Sequence, residues 1–222
     1  MQVPTENTHH QPVLTFTLNV INTLTHLLLG AVALGAIIFA NLLQFSNSLK
    51  SHIYLCVIGY VILMAQGILS LNPYNGWSNV LSHNDKKHSH WVMQVIGSIL
   101  AIAGSILRLT DSDRYFVAPF QTTHGIIGFV AMILAIASLI GGVLNMYSSF
   151  LSLNTTFIRM CHSCLGSFVL IAAFVALCCA YDDLYRIVMG DSNANMMIAL
   201  TVLALIGTVV PLYMRIFSRI CK

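Results

Sequence analysis

The placement of charge constrains this chain more than any other feature. Ten Lys and Arg and seven Asp and Glu serve 222 residues, and they leave six long gaps. No acid or base falls within 7–49, 51–84, 88–107, 115–158, 160–181 or 192–214. Each gap is near or above the roughly 20 residues that cross a bilayer as a helix. The chain is 57% hydrophobic and 8% charged, with a mean hydropathy of +0.82, whereas a soluble domain carries roughly 25% charged residues. That excludes an ordinary soluble globule. The runs are continuous rather than alternating, which excludes a transmembrane β-barrel. The expected fold is an all-α membrane protein with six transmembrane helices. They are placed at 20–43, 50–71, 90–109, 122–146, 160–181 and 194–216, between a polar tail over 1–19 and a basic tail over 217–222.

The lead-in "MQVPTENTHHQP" carries one acid and no base, so the first segment does not read as a cleaved signal peptide. Lys and Arg near the helix ends set orientation. Six of them (Lys86, Lys87, Arg159, Arg215, Arg219, Lys222) fall on one side and four (Lys50, Arg108, Arg114, Arg186) on the other. This bias places both termini in the cytosol. The loops are short. The longest, about 72–89, opens with the turn pairs Asn-Pro and Asn-Gly. Pro119 suits a first helical turn, and Pro211 lies where it can kink the last helix. Five of six cysteines sit in or at the edge of apolar spans, so no disulfide framework is expected. Cys161-x-x-Cys164 reads as packing before redox chemistry. The net charge of +3 points to no nucleic-acid partner.

The chemistry lies in the histidines. Five of nine are at or in apolar spans: His26, His52, His90, His124 and His162. His52 to His124 is 72 residues, and so is His90 to His162; His52 to His90 is 38, as is His124 to His162. Each of these four begins its segment. Alternate helices run the same way, so His52 can meet His124 at one face and His90 can meet His162 at the other. About 30 Å of hydrocarbon separates the faces, so the four cannot form one metal site. Two facing imidazoles supply the axial ligands of a b-type haem, and iron so ligated has no open position and suits electron transfer. Two haem b, one near each face, make a wire within segments two to five. Gly128 and Gly166 follow His124 and His162 by four and leave room for a flat ring on the same helix face. At the other two histidines the pattern is looser: Cys56 and Gln94 hold the fourth place, with Gly59 and Gly97 about a turn later. Ionisable residues inside membranes are rare and usually functional. His26 has no partner by spacing and reads as a hydrogen-bonded packing residue.

These features resemble the cytochrome b561 family over residues 20–216, through "SHIYLCVIGYVILM", "SHWVMQ", "THGIIG", Gly141–Gly142 and "CHSCLG". The resemblance implies a six-helix transmembrane oxidoreductase in which His52 and His124 ligate the haem on the non-cytosolic side. His90 and His162 ligate the cytosolic one. It implies cytosolic ascorbate as electron donor, monodehydroascorbate or ferric iron as acceptor, and a homodimer. Lys86, Lys87 and Arg159 lie three or four residues before His90 and His162, where a basic rim would attract the ascorbate anion. Two other readings stand beside this one. A haem-free, histidine-dependent proton or ion transporter would need polar groups at the midplane, where Gln66, Ser98, Ser138 and Ser167 are the main ones. A non-catalytic four-span scaffold would want external cysteines. Asn154 opens a glycosylation sequon that this orientation keeps in the cytosol, unmodified.

Overall fold

The computed structural model describes residues 10–42, 44–72, 74–111 and 120–220. Six helices are long and apolar enough to cross a membrane, and no strand occurs among the described residues. We number them α1 (His10–Leu42), α2 (Asn47–Leu69), α3 (His83–Leu109), α4 (Thr123–Tyr147), α5 (Thr155–Met189) and α6 (Asp191–Ile220). Pro119, Arg114 and the tail from 221 lie outside the described residues.

Most of the expected boundaries shift outward. Helix α1 begins at His10, ten residues before the placement at 20, so part of the polar lead-in is helical. Helices α3 and α6 start at His83 and Asp191 rather than 90 and 194. Helix α5 runs on to Met189, through a π-helical turn at Tyr181–Tyr185. At 1.5 Å per residue, α1 and α5 are each about 50 Å long, more than the hydrocarbon needs. Hydropathy locates the apolar stretch, and the polar turns that extend a helix into the headgroups carry no such signal. Four helices start on a polar cap: Ser46, Ser82, Thr122 and Asn154 accept from the backbone N–H three residues on, which satisfies donors left open at a helix start. Helix α6 continues through Pro211.

The helices pack in antiparallel pairs, α2 along α3, α4 along α5 and α1 along α6. The centre is built from Val61 and Ala65 of α2, Ala101 of α3, Ala135 of α4 and Leu170 and Phe174 of α5. Small residues let the backbones approach. A Cβ added at Gly59 would stand 2.6 Å from the Gly97 carbonyl oxygen, closer than real contacts allow, so α2 and α3 touch through bare backbone. Leu24, Leu34, Ile99, Ile140 and Leu203 are exposed, an outer surface whose fitting solvent is lipid.

Candidate functional site

The fold brings the histidines together in twos. The rings of His52 and His124 lie 6.0 Å apart, centre to centre, with their planes at 85°. Those of His90 and His162 lie 6.3 Å apart at 86°. The first pair joins the starts of α2 and α4, the second those of α3 and α5. Along α2 the two levels are separated by about fifteen residues, roughly 20 Å.

Three of the four rings are tethered on their Nδ1 side. His52 Nδ1 donates to the Gly104 carbonyl at 3.0 Å, His90 Nδ1 to Gly67 at 2.8 Å and His124 Nδ1 to Ala176 at 2.8 Å. A carbonyl only accepts, so the nitrogen facing it carries the proton, and Nε2 carries the lone pair. Orientation of a ligating imidazole by a hydrogen bond on its other nitrogen is the usual arrangement at metal sites. His162 departs from it. Its Nδ1 is buried without a hydrogen bond of good geometry, although the Ser138 backbone stands beside it as an acceptor. Gly141 and Gly142 make the flat floor for this ring: a Cβ on Gly142 would lie 3.3 Å from His162 Cε1.

The glycines divide into two uses. A Cβ on Gly128 would meet nothing nearer than Ala176 Cβ at 4.0 Å, and one on Gly166 only Ser138 Oγ at 3.7 Å. Both therefore border open space beside their histidines. Gly59 and Gly97, expected to do the same, instead form the α2–α3 contact described above, each pressed on the other's carbonyl. Gln94 also turns to that seam and donates to the Met64 carbonyl at 2.9 Å.

The cations differ between the two ends. At the His52 end Arg108 pairs with Asp111 at 2.7 Å and Arg186 pairs with Asp182 and Asp191, while Lys50 joins no ion pair among the described residues. At the His90 end Lys86 is half-buried, and Lys87 and Arg159 are exposed. These three join no ion pair among the described residues. None of them lines the small crevice between His90 and His162, whose walls include Ile68, Gln94, Ser163 and Gly166.

Residues 51–186 match the family described as eukaryotic cytochrome b561. The chain belongs to that family. Among curated proteins, the transmembrane reductase CYB561D2 of Homo sapiens is 31% identical over 122 residues, 54% of this chain and 55% of that protein. Those of Bos taurus and Mus musculus match over the same length at 31% and 30%. The chain thus spans about half the length of the curated relatives it matches. No solved structure matches it significantly. This b561 chain is an integral, multi-pass membrane protein.

A cytochrome family implies b-type haem, and the residues can be tested for it. Two imidazoles ligating one first-row metal ion from opposite sides, each at about 2 Å, have ring centres roughly 6 Å apart. Both pairs meet that spacing. It is also the spacing of stacked rings, about 4.5–7 Å, so the separation alone decides little. The donor set decides more. Among the described residues no group of three or more His, Cys, Asp or Glu could hold a metal ion. Each pair offers two imidazoles, and a haem held there would bring its remaining ligands in its own macrocycle. The residues fit haem.

Sequence reasoning missed one polar group of residues. Asn22 of α1 and Asn72 and Asn75 of the α2–α3 loop are buried and joined. Asn72 Nδ2 donates to Asn22 Oδ1, and Asn75 Nδ2 to the Leu69 carbonyl. His26 Nε2 donates to Asn75 Oδ1 at 3.0 Å. This pins the loop to α1 at the His90 end and gives His26 its partner. The asparagines read as turn formers, which hid them. Ser167 Oγ donates back to the Ser163 and Cys164 carbonyls of its own helix. Cys161 and Cys164 are free thiols.

Proposed function

We propose that this cytochrome b561 carries electrons across a membrane from ascorbate to monodehydroascorbate or ferric iron through two haem b. His52 and His124 hold one haem, on the non-cytosolic side, and His90 and His162 hold the other, on the cytosolic side. The single observation that supports the reading is the pair geometry: two imidazole pairs at opposite ends of one bundle, with ring centres 6.0 and 6.3 Å apart and three rings held by a carbonyl on Nδ1. When bound, haems so ligated exchange single electrons without an open position for oxygen. The chain's own residues fix the rings before the cofactor arrives, and the apolar centre around Ala101, Ala135 and Leu170 keeps water from the space between.

Ascorbate is an anion at neutral pH, and Lys86, Lys87 and Arg159 form an unpaired basic rim at the His90 end that draws it there. The same excess of Lys and Arg supports a cytosolic location for that end and for both termini. Reductase activity fits the printed name of the relatives, and dimerisation rests on family resemblance alone.

The test is an absorption spectrum of the detergent-purified protein before and after ascorbate. Two haems per chain and a sharp α-band on adding ascorbate are expected. Haem reducible only by dithionite would remove the donor from this reading. Protein without haem, made with ample haem supply, would overturn it.

A further inference from the structure

The four core helices share a frame that shows once the anchoring carbonyls are known. Each carries a histidine near its start and, further on, the carbonyl beside the histidine of its antiparallel neighbour. On α3 the two are His90 and Gly104, on α4 His124 and Ser138, on α5 His162 and Ala176. The step is fourteen residues each time, close to four helical turns, so histidine and carbonyl face the same way. On α2 the step runs from His52 to Gly67, fifteen residues. One extra residue in a regular helix would swing the carbonyl by about 100°. Helix α2 avoids this. It is π-helical over Val57–Met64, between His52 and Gly67, and a π turn is how an α-helix accommodates a single added residue, frequently at a functional site.

The π stretch contains Tyr60. Its side chain is 7% exposed and its hydroxyl lacks a partner of good geometry. Ser105 and Cys56 are the polar groups beside it. Cys56 Sγ in turn lies 3.6 Å from His52 Nδ1, 3.7 Å from the Ala101 carbonyl and 3.8 Å from Ser105 Oγ. So a half-buried thiol and hydroxyl and a buried phenol gather beside one histidine of one pair. Seventy-two residues on, Cys56 and Ser105 correspond to Gly128 and Leu177, which have no polar side chain. The cluster belongs to the α2–α3 half alone.

We propose that the π stretch of α2 is a one-residue insertion that keeps the histidine frame in register while setting Tyr60 against Cys56 and Ser105, and that this polar cluster tunes the reduction potential of the haem held by His52 and His124. The inference rests on the haem reading above. Cys56 Sγ is a second acceptor for the His52 Nδ1 proton. An acceptor there makes the imidazole a stronger donor to the metal and lowers its potential. Cys56 and Tyr60 are thus positioning residues acting through His52.

The test measures both haem midpoint potentials, and the low-spin haem electron paramagnetic resonance signals, in purified full-length protein. Cys56→Ala should raise one potential and leave the other, and Tyr60→Phe should shift the same haem alone. Deleting Ile58 should keep two haems per chain, because α2 then returns to the fourteen-residue step. Deleting Ile133 in α4, which has no π turn to absorb the change, should cost haem. Potentials that ignore Cys56→Ala and Tyr60→Phe would overturn the inference. So would a parallel shift of both haems, a lowered potential in Cys56→Ala, or haem loss on deleting Ile58. Wild-type protein without haem defeats the earlier reading instead, and is seen before any variant is made.

Discussion

A histidine at a helix start becomes a ligand only when something holds its ring. In this chain main-chain carbonyls hold three of the four rings, which gives single substitutions distinct outcomes. Replacing His52 or His124 with Ala should leave one haem per chain, and replacing His90 or His162 should remove the other. A pyridine haemochrome assay counts them, and four unchanged haem contents would refute the ligand set. Gly142→Val is subtler. Its added atoms enter the space of His162, where a Cβ already comes to 3.3 Å. The haem of the His90–His162 pair should be lost and the other kept. Asn75→Ala tests the loop clamp. It strips His26 and the Asn22 amide of their shared acceptor, while the Leu69 carbonyl keeps the Asn72 N–H; leaving a buried polar group unmatched costs about 1–3 kcal/mol. The melting temperature should fall while the spectrum of the protein that remains folded stays unchanged.

At the scale of elements, the α2–α3 seam carries the most consequence. Gly104 and Gly67 supply the carbonyls for His52 and His90, so both pairs depend on these two helices staying in contact. Gly59→Leu forces them apart. Overpacking of this kind costs roughly 1–3 kcal/mol or more, and both haems should be lost together, as the same assay would show. Gly30→Leu, with nothing within 4 Å of an added Cβ, is the control and should change neither. This seam also marks where the sequence stops being legible. Six apolar runs announce six helices, because bilayer thickness fixes their length, and equal histidine spacing with alternating helix direction yields the pairing. The anchors leave no trace, since every residue has a carbonyl and Gly67, Gly104 and Ala176 share no side-chain signature. Gly59 and Gly97 look in sequence like Gly128 and Gly166, and only helix contacts separate the two uses. The π turn is invisible until the carbonyls show that α2 is one residue long in its frame.

The whole molecule adds an electrical asymmetry between its ends. Arg108 and Arg186 are tied to carboxylates at the His52 end, where Lys50 stays out of any ion pair among the described residues, whereas at the other end all three of Lys86, Lys87 and Arg159 do so and are left to whatever anion arrives. If the His90 end faces the cytosol, Asn154 does too. Its side chain already caps α5 by accepting from the Phe157 N–H, and no glycan should form there; a glycosidase-sensitive shift in mass would invert the orientation. Charge then makes the last prediction. An exposed cation contributes about 0.2–1 kcal/mol to holding an anion, and salt weakens this over a Debye length of about 8 Å at physiological ionic strength. The cations lie outside the crevice between His90 and His162, so they act on arrival rather than on the electron's path. Neutralising all three with Gln should therefore raise KM for ascorbate about tenfold and leave kcat nearly unchanged. Added salt should raise KM in the wild type and hardly move it in the triple variant. Equal salt dependence in the two proteins would mean that these residues only anchor the bundle at the headgroups, and that the donor is captured elsewhere.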